Sequence, residues 1–216
     1  MGTTGIITSL VIAFSLVTAG SAWCDELGES YYPLKEGMRW EYIVISDKSD
    51  TKKLIITNLA PREVQGKKVT PRRWDLGGHI FIEFMEKDDY GVYRYAEQIG
   101  EKGTPTLVTP KECHLRFPIA EGNSWNMTTK LGNNPLNVSL TIESVSEDVK
   151  VPAGSFKDCL KIKQVGSNDA GASVTGCEWY APKVGIVESL VTIKQKSREG
   201  TPTSENRTYK LQSFKP

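Results

Sequence analysis

Apolar and polar positions alternate with a period of two along most of the chain after residue 30. The clearest case is the run Leu136, Val138, Leu140 and Ile142, which is interleaved with polar residues. This period is typical of a β-strand with one face on the core and the other in solvent. Similar short segments recur, separated by turn residues. The pattern predicts an all-β fold, a single antiparallel curved sheet or half-barrel of about a dozen strands.

A nine-residue motif occurs twice. Residues 32–40 read YPLKEGMRW and residues 117–125 read FPIAEGNSW, so six positions of the nine match in kind. Pro fixes the backbone, Gly allows a sharp turn, and Trp then opens a strand and buries a large apolar area. We expect two similar halves, about 31–112 and 116–216, that share one core anchored by Trp40 and Trp125.

The N-terminal segment has the pattern of a secretory signal peptide. Residues 6–17 read IITSLVIAFSLV, the first charged side chain is Asp25, and Gly20, Ser21 and Ala22 suit a cleavage site. We predict a signal peptide over 1–22, followed by a single all-β domain over 23–216 that is periplasmic or extracellular and not integral to the membrane. Two alternatives stay open: the segment is retained as an anchor, or Cys24 is lipidated, although Trp23 misforms that signal.

Charge and composition narrow the partners. The chain has 216 residues, 27 basic against 26 acidic, and a net charge of +1, which argues against a nucleic-acid partner. Its two histidines leave little material for a metal site or a His-based triad. We therefore expect no catalytic residue, no metal and no cofactor, and hence no enzyme.

The four cysteines all lie after the predicted cleavage site, and three pairings are possible. If Ile162 faces Val174 across the loop at 166–171, Cys159 comes opposite Cys177, where a disulfide is feasible. We predict that Cys159 and Cys177 pair. Cys24 and Cys113 then either pair with each other or stay free.

The remaining reactive residues have simpler structural explanations. Cys113 and His114 are neighbours on a strand, so their side chains point to opposite faces. His79 has no companion ligand, and Asp88-Asp89 fits a hairpin turn better than a calcium loop. A mildly basic stretch fits a solvated sheet face or a guarded edge. Its members are Lys48, Lys52, Lys53, Arg62, Lys67, Lys68, Arg72 and Arg73.

Two further motifs mark a family. Residues 151–156 read VPAGSF and residues 179–187 read WYAPKVGIV. With the F-P corner, they resemble exported bacterial envelope proteins of unknown function that carry V-P-A-G-[ST]-F and W-Y-A-P-x-V-G-[LI]-V motifs. Lys183 stands where that pattern has Gly. More distantly, the chain is similar to lipoprotein-carrier-like proteins with a curved sheet. The resemblance implies a fold and no catalytic residues.

Two functions remain open at this point. One is an exported binding protein that holds an apolar small molecule or lipid on the concave face of its sheet; the other is an envelope module with a filled core that binds another protein. A third, weaker alternative is a hydrolase whose residues the sequence does not identify. An open apolar cavity of about 300 Å³ or more would favour the first. The aromatic residues expected to line it are Trp40, Tyr42, Tyr93, Tyr95 and Trp125.

Overall fold

The computed structural model describes residues 30–131, 134–197 and 200–216. The predicted signal peptide and Cys24 lie outside these residues. In the described part of the chain, no helical segment has the length and apolarity needed to cross a bilayer.

The described residues form thirteen antiparallel strands, and this confirms the predicted all-β fold. Ser30 and Tyr31, just before the first corner, are helical. The strands are β1 (Arg39–Ser46), β2 (Lys52–Asn58), β3 (Arg62–Val64), β4 (Lys67–Leu76), β5 (His79–Asp88), β6 (Gly91–Ile99), β7 (Thr106–Arg116), β8 (Ser124–Leu131), β9 (Asn134–Val151), β10 (Gly154–Ser167), β11 (Ser173–Ala181), β12 (Gly185–Lys196) and β13 (Pro202–Lys215).

The sheet consists of two consecutive meanders joined at their ends. Its order is β7-β6-β5-β4-β2-β1-β13-β12-β11-β10-β9-β8, with β3 paired to β4 beside this path. The first meander runs outward from β1 and the second returns from β8 to β13, which pairs with β1. At the open seam, β7 and β8 lie near each other without a ladder, and the Trp125 indole Nε1 donates to the Cys113 carbonyl at 2.8 Å. The sheet is therefore a nearly closed half-barrel.

The repeated motif forms the same corner in both halves. Gly37 and Gly122 have φ of 83° and 85°, a region that favours glycine. Gly37 N donates to the Asn58 carbonyl at 3.0 Å, and Gly122 N donates to the Ile142 carbonyl at 2.9 Å. Each accepting residue lies on the next strand of its own meander. The corner therefore sets where the first strand of each half starts against the second.

The two tryptophans lie in two different buried clusters, and each cluster contains residues of both halves. The Trp125 cluster includes residues of β8 to β11 and also Met85 and Leu115 of the first half. The Trp40 cluster includes residues of β1, β2, β12 and β13 and also Val149 and Cys159 of β9 and β10. Ile186 packs against both clusters and links them. A third, smaller cluster around Phe84 lies between β5 and the β3–β4 hairpin. The inward faces of the strands are thus divided into regions instead of meeting at one centre.

The β10–β11 hairpin has a different register from the predicted one. Lys163, not Cys159, lies opposite Cys177, and Ile162 faces Glu178 instead of Val174. The reason is the turn, which begins two residues later than assumed because Asn168 closes it. The Asn168 N donates to the Ala172 carbonyl at 3.0 Å, and the Asn168 Oδ1 accepts from Ala172 N at 2.9 Å.

The predicted disulfide between Cys159 and Cys177 is wrong for this fold. Register irregularities on both sides of Cys159 place it opposite Glu147 of β9, where it is fully buried in the Trp40 cluster. Cys177 is half-buried beside Lys161 and Lys163. Cys113, Cys159 and Cys177 are free thiols, and the alternative pairing of Cys24 with Cys113 falls outside the described residues.

Candidate functional site

Curvature of the sheet encloses a cavity of about 220 Å³ between its two meanders. Strands β2 and β4 form one wall, and β10 to β12 form the other. In the sheet order, four strands lie between β4 and β11, so the walls meet because the sheet curves. The walls are mainly aliphatic and aromatic, with three polar side chains among them. The lining residues are Tyr42, Leu54, Ile56, Trp74, Gln164, Glu178, Ile186, Ser189, Val191 and Tyr209. We refer to this cavity as the Glu178 pocket.

Glu178 is the ionisable carboxyl of the pocket. Its Oε2 accepts a hydrogen bond from the Tyr180 hydroxyl at 2.6 Å, whereas its Oε1 has only a long contact of 3.5 Å with the Ser189 hydroxyl. Burial raises its pKa above the usual 4.5, against the effect of these hydrogen bonds, and the charge of Glu83 adds to the rise. Glu178 forms no ion pair with a described Lys, Arg or His. The pocket thus holds a carboxyl with spare accepting capacity.

Arg72 lies deep inside the fold, which corrects its prediction as part of a solvated basic face. Its guanidinium donates to Asn58 Oδ1 at 3.0 Å and to the Pro33 carbonyl at 2.9 Å. It also stacks between the rings of Tyr32 and Trp40, at 4.4 and 5.0 Å from their centroids. Arg72 therefore fixes the first corner to β2 and β4, and the cation is held away from the Glu178 pocket by these contacts.

A second, largely covered arginine is shared among carboxylates. Arg94 Nη2 lies 2.5 Å from Glu112 Oε2, and its Nη1 lies 3.4 Å from Glu83 Oε1. The Trp74 indole Nε1 donates to Glu83 Oε2 at 2.9 Å. Burial raises the pKa of Glu83, although both arginines oppose the rise. This group connects to the pocket through Trp74, whose ring lines the cavity while its N–H binds Glu83.

Most of the aromatic residues predicted to line a cavity lie outside the Glu178 pocket. Tyr42 does line the pocket, and its hydroxyl donates to the Ile186 carbonyl at 2.7 Å. Trp40 and Trp125 are fully packed in the core clusters. Tyr95 packs against the third cluster, and the Tyr93 ring lies 4.3 Å below the Lys111 ammonium.

Cys113 and His114 are not held in reactive forms. Burial raises the pKa of the Cys113 thiol to about 11 and lowers the pKa of His114 to about 4. At neutral pH the thiol is therefore protonated, and a thiol is a weak nucleophile compared with a thiolate. His79 stays exposed at the start of β5.

The acidic turn has a structural role. Asp88 Oδ1 accepts from the backbone N of Tyr90 at 2.9 Å and of Gly91 at 3.1 Å, as in an Asp-closed hairpin turn. Within the described ranges, no group of three or more His, Cys, Asp or Glu could hold a metal ion.

Sequence reasoning missed Trp74, Glu178 and Tyr209. A signal for Glu178 existed in the alternation of β11, because it shares a face with Val174 and Tyr180. Trp74 likewise shares its face of β4 with Arg72. A charged residue normally indicates the solvent-facing side of a strand, and this expectation concealed the inward position that the alternation gives to Glu178.

A family model matches part of the chain. The DUF3108-like family matches residues 121–196, the region of β8 to β12, which includes Glu178 and both turn motifs. No curated protein matches the chain.

Two solved structures are similar to the chain. One, from Bacteroides fragilis NCTC 9343, is described as a candidate exported protein with a YmcC-like fold; it is 17% identical over 87% of this chain and 99% of its own, with a TM-score of 0.48. The other, a candidate lipoprotein from Parabacteroides distasonis ATCC 8503, is 13% identical over 86% of this chain and 98% of its own, with a TM-score of 0.41.

Proposed function

We propose that this chain is an exported, non-catalytic binding protein that holds a small apolar molecule in the Glu178 pocket. The observation behind the proposal is the pocket itself, whose walls are mostly aliphatic and aromatic. Burial of apolar ligand surface against such walls is favourable by about 25 cal/mol per Å². The uncharged N-terminal run and the small residues before Cys24 support export.

The size of the pocket limits the ligand. Its volume of about 220 Å³ is less than the roughly 300 Å³ at which sites for drug-sized ligands begin. It exceeds the ~150 Å³ of an apolar cavity that binds benzene. The pocket therefore suits a molecule with one ring or a short chain, or the end of a longer lipid.

The small volume also favours a second function. Two well-packed clusters occupy much of the space inside the curved sheet, as expected of an envelope module with a filled core that acts through its surface. In that case no small molecule binds inside.

A pocket-filling variant separates these functions. Val191 lines the pocket, and Ile45, on the face of β1 opposite to Tyr42, is 44% exposed and lies away from the pocket. We expect an apolar fluorescent dye to bind wild type and Ile45→Trp equally, and Val191→Trp at least about tenfold more weakly, because the indole fills the cavity. Native mass spectrometry of the protein purified from its own envelope should also show a bound small molecule. Equal dye binding by all three proteins, with no bound molecule, would favour the filled module.

A further inference from the structure

We propose that the ligand of the Glu178 pocket is a small organic cation, an ammonium group on an apolar body, that pairs with the Glu178 carboxylate. This inference rests on the proposed function, since it names the ligand class of the same pocket. Three observations support it: the charges around the pocket, the free oxygen of Glu178 and the aromatic walls.

The Glu178 carboxyl has no cationic side chain paired with it among the described residues. The two arginines of this region, Arg72 and Arg94, are engaged elsewhere. Arg94 bridges Glu83 and Glu112, and the positive charge of Arg72 also acts on Glu83. Neither arginine pairs with Glu178, which leaves one carboxyl without a counter-charge beside the cavity.

Arg207, a cation close to the rim of the pocket, is already paired with a carboxylate. Arg207 lies opposite Val191 in the β12–β13 ladder. Its Nε and Nη2 bind the two carboxylate oxygens of Glu205 at 2.6 and 2.8 Å. A two-point contact of this kind holds the guanidinium in place. A cationic ligand would supply the counter-charge that Arg72, Arg94 and Arg207 do not provide.

Glu178 has an oxygen free to receive it. Oε2 is engaged by Tyr180 at 2.6 Å, but the 3.5 Å contact of Oε1 with Ser189 is long for a hydrogen bond. An ammonium N–H would make a charge-assisted hydrogen bond there, about twice as strong as a neutral one. The negative charge of Glu83 favours a cation at the same place.

Aromatic side chains complete the site. Tyr42, Trp74 and Tyr209 all line the pocket, and the face of an aromatic ring attracts a cation. A neutral alcohol would gain the hydrogen bond to Glu178 but neither the ion pair nor this attraction. An anion would meet the field of Glu83 and Glu178 and be repelled.

Three probes of one shape test the ligand class. Isothermal titration of the purified full chain with benzylamine, benzyl alcohol and benzoate compares a cation, a neutral molecule and an anion on the same ring. We expect benzylamine to bind at least about tenfold more tightly than benzyl alcohol, and benzoate to bind the most weakly, because a hydrogen bond between charged groups is stronger than one to a neutral hydroxyl.

Two variants locate the effect. Glu178→Gln keeps the shape and should weaken benzylamine at least about tenfold while changing benzyl alcohol less than about threefold. Glu188→Gln is the matched control, since Glu188 lies on β12 outside the pocket and pairs with Lys210 at 3.4 Å; it should change neither. If Glu178→Gln does not fold, the ranking of the three probes on wild type still decides.

The outcomes distinguish this inference from the proposed function. Benzyl alcohol binding as tightly as benzylamine, or a benzylamine affinity that Glu178→Gln leaves unchanged, would overturn the cation and retain an apolar pocket. Failure of all three probes to bind wild type would overturn both.

Discussion

Trp40 and Trp125 occupy the same place in the two copies of the repeated motif. Each is the second residue of its strand, and each donates its indole N–H to a backbone carbonyl, that of Val184 at 2.6 Å and that of Cys113 at 2.8 Å. Trp40 lies opposite Ile56 on the next strand, and Trp125 lies opposite Leu140. The sequence repeat is thus a repeat of structure, from corner to ladder.

Both indole hydrogen bonds should stabilise the fold to a similar degree. Trp40→Phe and Trp125→Phe each keep an aromatic ring but leave the accepting carbonyl without this donor. We expect each to lower the free energy of unfolding by about 1–3 kcal/mol in urea denaturation. Tyr90→Phe, at a ring that is 73% exposed, serves as the control and should change little. A large loss for one tryptophan and none for the other would contradict their equivalence.

The sequence predicted those parts of the fold that depend on local pattern. Alternation located strands such as β9, and the Gly and Pro positions located both corners, because these signals act within a few residues. The β10–β11 register could not be obtained in this way. It depends on the side chain of Asn168, which closes the turn on Ala172 and moves every opposing pair of residues.

The site was harder to predict than the fold. Glu178 and Arg72 lie on inward faces, where a charge is stable only with partners from distant strands. Those partners, Tyr180 and Ser189 for one and Asn58 and Pro33 for the other, become neighbours only when the sheet curves and the first corner folds onto it. No pattern confined to one strand contains that information.

Lys183 is strained in the turn between β11 and β12. Its φ of 64° lies in the left-handed region, and its backbone N donates to the Ser30 carbonyl at 2.6 Å. We expect Lys183→Gly to raise the free energy of unfolding by up to about 1 kcal/mol, because glycine adopts this φ without steric cost. Lys183→Ala separates the backbone from the lost side chain and should give no such gain. Equal stabilisation by both variants would mean that the side chain, not φ, is responsible.

The three described thiols should differ in reactivity. Cys159 is fully buried, and burial raises its pKa to about 11, whereas Cys177 is half-buried next to two lysines. We expect a thiol reagent to modify Cys177 in the native protein and Cys159 only on unfolding. Peptide mapping after labelling measures this. Recovery of a Cys159–Cys177 linked peptide from the native, unreduced protein would contradict the β10–β11 register.

His114 should make the fold sensitive to acid. Burial lowers its pKa from the usual 6.5 to about 4, Arg94 and Arg72 act in the same direction, and Glu112, with Oε2 4.0 Å from Nε2, opposes them. The Tyr32 ring packs edge-on against the imidazole. Above pH 6.5 both the folded and the unfolded protein hold a neutral His114, and its effect on stability is nil. Between pH 6.5 and about 4 only the unfolded chain takes up the proton, so the stability of the fold decreases as the pH is lowered.

We therefore expect wild type to lose, between pH 7 and pH 4.5, up to about 3 kcal/mol more stability than His114→Gln, from 1.36 kcal/mol per pKa unit. Urea denaturation of both proteins at the two pH values measures the difference, and the carboxylates common to both cancel in it. His79→Gln, which removes an exposed imidazole, is the matched control for the loss of a histidine. An identical pH dependence in wild type and His114→Gln would show that the imidazole takes up its proton in the folded protein as readily as in the unfolded chain.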